Sequence, residues 1–289
     1  MSRTFAKTLI IGTAVLALAG CSALRVAYNN GPQLGWWWLD GYVDFSNEQT
    51  PAAKQAIDRF FDWHRSTQLG EYAAFLSTAQ ATVMQPSTPA AACRINTQLR
   101  DKLDPAFDRA LAQAAELVPG LGERQFKFME VRYVKGNDEM RADFLQADMT
   151  ERQRKSYERA LERAEQLYGS LDDPQKSVIK AGVAASPFDP QSWLAERQRR
   201  QRDVLQTLRK LKSDKADLDA RVAGLRLLGD RMEHSPDAGY RSYQLKLVDY
   251  NCAFAAQIHN ATTPAQRQKA RDKLKGWEED LRSLAQGPG

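Results

Sequence analysis

The apolar residues of this chain recur at steps of three and four. No segment alternates apolar and polar residues as a half-buried strand would. Behind Thr50-Pro51, a cap residue and a first-turn proline, Ile57, Phe60, Phe61 and His64 form an i, i+3, i+4, i+7 stripe. The same reading predicts helices over 68–84, 88–117, 122–147, 150–169, 173–185, 236–260 and 263–285, each preceded by Pro, Gly or a short polar residue. Val, Ile and Thr are sparse, while Ala, Leu, Arg, Gln and Glu dominate. The expected fold class is therefore all-α, a multi-helix bundle forming one domain over 32–286.

Four predicted starts share a pattern, a cap-capable residue followed three positions later by Gln. They are Gly122 with Gln125, Thr150 with Gln153, Asp172 with Gln175, and Thr263 with Gln266. A capping box has this spacing: the cap accepts from the N3 amide and the N3 side chain reaches back. These starts are similar to those of small periplasmic stress chaperones of the Spy and CpxP kind, although helix capping alone produces the same letters.

Between Trp193 and His234, the positions Val204, Leu208, Leu211, Lys215, Leu218, Val222, Leu225, Gly229 and Met232 step by four and three. This is a heptad seam interrupted at Lys215 and Gly229. It fits one long helix near 190–234, the reading preferred here, or two core helices broken near Ser213-Asp214. His234-Ser235-Pro236 should end it.

The stretch Trp36-Trp37-Trp38-Leu39-Asp40-Gly41-Tyr42-Val43-Asp44-Phe45 follows a helix-start proline, Pro32. Leu34, Trp37, Trp38, Tyr42 and Phe45 would share one face, Trp36, Leu39 and Val43 a second, and Asp40 and Asp44 a polar strip. A helix apolar nearly all round is normally buried. Trp36, Trp37, Trp38, Asp40 and Asp44 are thus expected to dock into a groove of the body. A membrane interface, which tryptophan favours, and a ligand platform are the alternatives.

The N-terminus changes where this body is placed. Arg3 and Lys7 precede an apolar run of roughly a dozen residues, too short to span a bilayer and right for a signal peptide. The run ends Leu18-Ala19-Gly20-Cys21, which resembles the lipobox of bacterial lipoproteins. The resemblance implies removal of 1–20, lipidation of Cys21, a short tether over 21–31, and, with Ser22 next, sorting to the periplasmic face of the outer membrane. Two or more acyl chains anchor stably. Cleavage removes Arg3 and Lys7 and no acid, so the formal charge falls from +5 to +3, too mild to suggest a nucleic-acid partner.

Cys93 and Cys252 remain, and in an oxidising compartment they are candidates for a disulfide. His64, His234 and His259 have no metal-ligand spacing. P-loop, dinucleotide-binding and nucleophile-elbow motifs are absent. No metal or other cofactor is expected. Carboxylate pairs occur at Asp40/Asp44 and Asp138/Glu139. A sugar-cleaving site would need two acids flanking a cleft, and acids beside Arg132, Lys135 and Arg141 read more simply as ion-paired neighbours. Arg197, Arg199, Arg200 and Arg202 form a basic run that suits an anionic partner or a solvated helix face.

The segments from Cys21 to Phe45, Arg59 to Leu76, Glu162 to Lys176 and Gly182 to Gln201 resemble a proteobacterial family of helical lipoproteins of unknown function. That resemblance implies an all-helical lipoprotein and no transferable catalytic residue. The expected function is a non-enzymatic binding or scaffold protein of the envelope, anchored by its lipid and facing an envelope protein partner. An ATP-independent periplasmic chaperone and a cell-wall hydrolase are the alternatives.

Overall fold

A computed structural model describes residues 23–287. Cys21 and the expected signal peptide at 1–20 lie outside the described residues. The described chain contains helices and no strand. After a helical segment at 23–29 come α1 (Gly31–Val43), α2 (Thr50–Thr67), α3 (Leu69–Thr82), α4 (Pro89–Leu117), a 3-10 turn (Val118–Gly120), α5 (Glu123–Phe144) and α6 (Met149–Tyr168). They are followed by α7 (Asp173–Ala184), α8 (Pro190–Ser213), α9 (Leu218–Glu233), α10 (Ala238–Ala261) and α11 (Pro264–Ala285).

Two packing groups share α4. On one side α2 and α9 pack against it and carry α1, α5 and α8 with them; on the other, α10 joins α4 to the group α3, α6, α7 and α11. The first group is cored by Val43, Leu121, Phe126, Met129 and Leu205, and by Ala115, Val118, Leu225 and Leu228. The second is cored by Ala164, Tyr168, Leu171, Ile179 and Ala270. Cys93 near the start of α4 and Cys252 in α10 are joined by a disulfide with Cα atoms 5.2 Å apart. Two turns of helix further on, His259 Nε2 donates to Gln85 O (2.7 Å), so its Nδ1 accepts from the Tyr168 hydroxyl (2.9 Å). Asn260 and the backbone of Ser87 exchange two bonds of 2.8 Å. The same junction is thereby held by a covalent link and by polar ones.

The box glutamines do more than cap. At Asp172 and Thr263 both bonds of the box form, and the Gln175 and Gln266 amides pair with each other (2.7 and 2.9 Å), tying the start of α7 to that of α11. At Gly122 only the backward reach of Gln125 is possible, and its Nε2 goes on to Asp44 O (3.2 Å) and Gln49 (3.0 Å). The Thr150 start is corrected: Asp148 accepts from Thr150 N at 2.8 Å and caps the helix earlier.

The single long helix near 190–234 is also corrected. The tract is two helices, because Lys215 takes a left-handed φ of 50° and Asp217 caps a new start by accepting from Ala220 N (2.9 Å). The seam survives as a folded-back pair: Val204, Leu208 and Leu211 of α8 meet Val222, Leu225 and Met232 of α9 over α4. Gly229, which reads as a defect in the seam, is a contact point; a Cβ there would lie 2.8 Å from Phe107 of α4.

Residues 23–29, expected to belong to a tether, are helical and held to the body. Arg25 pairs with the buried Asp280 of α11 (2.9 Å), and Tyr28 packs edge-on against Phe61 with its hydroxyl 2.7 Å from His64 Nδ1.

Candidate functional site

The three tryptophans do not plug a groove together. Gly31 and Gly35 supply the face of α1 that meets α2; a Cβ at Gly31 would lie 2.4 Å from Phe61 Cε1. Small residues let the helices approach, and the rings are turned away from that contact. Trp37 and Trp38 are 61% and 66% exposed, and Leu34 is exposed beside them. The expected burial of Trp37 and Trp38 is therefore corrected. Trp36 is half-buried, stacked on Phe45 with Lys54 over its ring. Asp40 accepts from Phe45 N (2.9 Å) and closes the C-terminal end of α1, while Asp44 pairs with Arg124. Both acids are thus engaged within the chain.

Behind α1 lies a cavity of about 510 Å³, open to solvent on one side. This is within the roughly 300–1,000 Å³ typical of small-molecule sites. Val43, Ala56, Val118, Leu121 and Met129 form its buried floor, and the exposed Trp38, Ala110 and Ala114 form its rim. Gln113 is the sole polar side chain in the wall, and its Oε1 is taken by Arg59 (2.9 and 3.1 Å). The wall therefore offers an apolar guest contact area without an unsatisfied polar group.

A second cavity, about 490 Å³, adjoins it between α1, α5, α8 and α9. Trp38, Leu39, Val43 and Met129 line both. Its chemistry is mixed, with Tyr133, Trp193, Glu196, Arg197, Arg200 and Tyr240 in the wall. Arg197 donates from Nε to the buried Asn137 (2.9 Å), which also bonds Gln201 (2.8 Å). Burial pushes the Tyr133 hydroxyl up to about 12, with Tyr42 adding and Arg197 opposing. It stays a neutral donor at any physiological pH.

The basic run is divided by this geometry. Arg199 is locked to Glu196 (2.8 and 2.9 Å) and Asp203 (3.3 Å), Arg200 to Glu196 (2.9 Å), and Arg202 is exposed. Arg197 and Arg200 line the cavity, and no acid pairs with Arg197 among the described residues. The buried acids Glu196 and Asp280 are both ion-paired. Asp138 pairs with Arg141 on the surface. His64, His234 and His259 lie in separate hydrogen-bonded positions. Among the described residues no group of three or more His, Cys, Asp or Glu could hold a metal, and no helix is long and apolar enough to cross a membrane.

The cavities were missed in the sequence. Their local signals are the small residues of Ala110-Leu111-Ala112-Gln113-Ala114-Ala115 and the Gly31/Gly35 spacing, which only a fold can convert into space.

Residues 41–225, which contain most of both cavity walls, match a family of unknown function, DUF6279. The chain belongs to that family. No curated protein and no solved structure matches it.

Proposed function

We propose that this DUF6279 protein is a lipoprotein anchored through Cys21 at the periplasmic face of the outer membrane, and that its helical body is a non-enzymatic binding protein for an apolar guest. The observation that carries the binding role is the cavity behind α1, with its apolar floor and one satisfied polar side chain. In water such a space favours occupation by hydrocarbon.

The outward face of the N-terminal helices supports the anchor. Val26, Leu34, Trp37 and Trp38 are exposed at helical spacing, starting five residues after Cys21. Each Trp carries about 150–250 Å². Transferring the exposed share of both rings from water is worth about 5 kcal/mol at roughly 25 cal/mol/Å². Tryptophan at the headgroup level is the usual membrane-interface arrangement, so this face rests on the bilayer to which the lipid tethers it.

Protein purified from membranes should have lost residues 1–20 and gained acyl mass at Cys21. Reconstituted in vesicles of bromine-labelled lipid, its tryptophan emission should be quenched, with most of the quenching lost in Trp37→Ser/Trp38→Ser. Quenching unchanged by that double substitution would remove the membrane-resting face. For the cavity, an environment-sensitive apolar dye should bind, and Ala110→Phe/Ala114→Phe at the rim should weaken it at least about tenfold, the equivalent of roughly 1.4 kcal/mol. Both alanines are exposed, so the helices should keep their circular dichroism. Equal dye binding by both proteins would end the cavity reading.

A further inference from the structure

Resting on that binding role, we infer that the guest is an anionic single-chain amphiphile: its hydrocarbon chain lies in the apolar cavity and its carboxylate in the adjoining one, on Arg197. The two spaces adjoin at Trp38, Leu39, Val43 and Met129, which line both, and the inferred guest lies along the inner face of α1 past those side chains. Their chemistries are complementary halves. One has a single, satisfied polar residue; the other has Arg197, Arg200 and the hydroxyls of Tyr133 and Tyr240.

Arg197 is the better anchor of the two cations. Glu196 already accepts from Arg200 Nε at 2.9 Å. Arg197 spends Nε on a neutral partner, Asn137 Oδ1, which fixes the guanidinium plane without neutralising it. Its terminal Nη groups pair with no acid among the described residues, and a carboxylate's two oxygens match the guanidinium fork. A half-buried position excludes part of the solvent, which strengthens such a contact relative to the open surface.

The route of entry follows from Trp38. It lines both cavities and also stands on the exposed face with Trp37 and Leu34. The mouth therefore opens beside the surface that faces the bilayer, where long-chain carboxylates partition.

The test uses the mature, anchored protein in vesicles. A photoreactive C16 carboxylic acid is added, labelled peptides are mapped, and unlabelled hexadecanoate and hexadecanol compete. Labels should fall on α1, α4 and α5, and hexadecanoate should compete at least about tenfold better than hexadecanol, as expected for one charge-assisted contact. Arg197→Gln, which can still reach Asn137, should abolish that preference while leaving hexadecanol unchanged. Equal competition by acid and alcohol, with labels still in the cavity, would overturn the head-group assignment and leave the apolar site standing. Labels scattered over the surface in every protein would overturn both.

Discussion

Replacing Cys93 and Cys252 by serine lowers the melting temperature by about 10–20 °C. The bond spans 159 residues, and closing so long a loop in the unfolded chain removes entropy worth about 4–5 kcal/mol. For a protein of this size each kcal/mol moves the midpoint by about 2–4 °C. The effect should be large because the bond joins the two packing groups at their main junction, α4 with α10. The polar clamp beside it, His259 to Gln85 O and Asn260 to Ser87, keeps the native arrangement in register without the bond. The variant should therefore fold to the same helical content and melt earlier, rather than fail to fold. Thermal unfolding followed by circular dichroism, with and without reductant, measures this. A wild-type midpoint that reductant moves by under about 5 °C would show that the unfolded chain is already constrained by other means.

Glu196→Ala costs about 2–3 kcal/mol. The Glu196 side chain is 4% exposed and accepts from Arg199, Arg200 and Ser235. Breaking a fully buried pair typically costs about 3–5 kcal/mol. The lower figure applies because Arg199 and Arg200 are 22% and 31% exposed and Arg199 keeps Asp203. Ser235, fully buried at the turn after α9, loses its acceptor, so the α8–α9 pair should loosen first. Burial works to raise the Glu196 pKa, but the three hydrogen bonds outweigh it and hold the carboxyl below its ordinary 4.5. Arg231 lowers Asp203 in the same network. A depressed carboxyl stabilises the fold above its unfolded value, and that stability disappears as pH falls through the folded value. Acid unfolding should therefore steepen below about 4.5, and Glu196→Gln should flatten that limb. Denaturant midpoints across pH 3–7 give the answer; parallel curves for the two proteins would show that the network contributes nothing.

Much of the fold was legible because helix starts are written in short-range chemistry. Asp172-Gln175 and Thr263-Gln266 cap where their letters place them, and the predicted boundaries of most helices differ from the observed ones by a few residues. The errors share one cause. The seam from Val204 to Met232 is apolar at the same spacing whether it runs straight or folds back, and what decides is a single left-handed residue, Lys215, which no periodicity records. At Trp36 to Phe45 the composition points inward, yet Gly31 and Gly35 decide which face meets Phe61, and the largest rings are left outside. Neither cavity was legible, since each exists only where α1 stands against helices distant in sequence. Of the basic run, residue type was readable, but not that Arg199 would be neutralised by Glu196 and Asp203 while Arg197 keeps a neutral partner.

The contact between Arg25 and Asp280 has a practical side. Arg65 reinforces it by donating to Leu284 O and to Asn29, each at 2.9 Å. The first and last helices of the described chain are therefore fastened together. With the anchor proposed at Cys21, a group fused after Ala285 would start beside the segment 23–29 that leads from that anchor. A fluorescent reporter placed there would crowd the anchor, whereas one inserted at the Lys215 turn leaves that junction untouched.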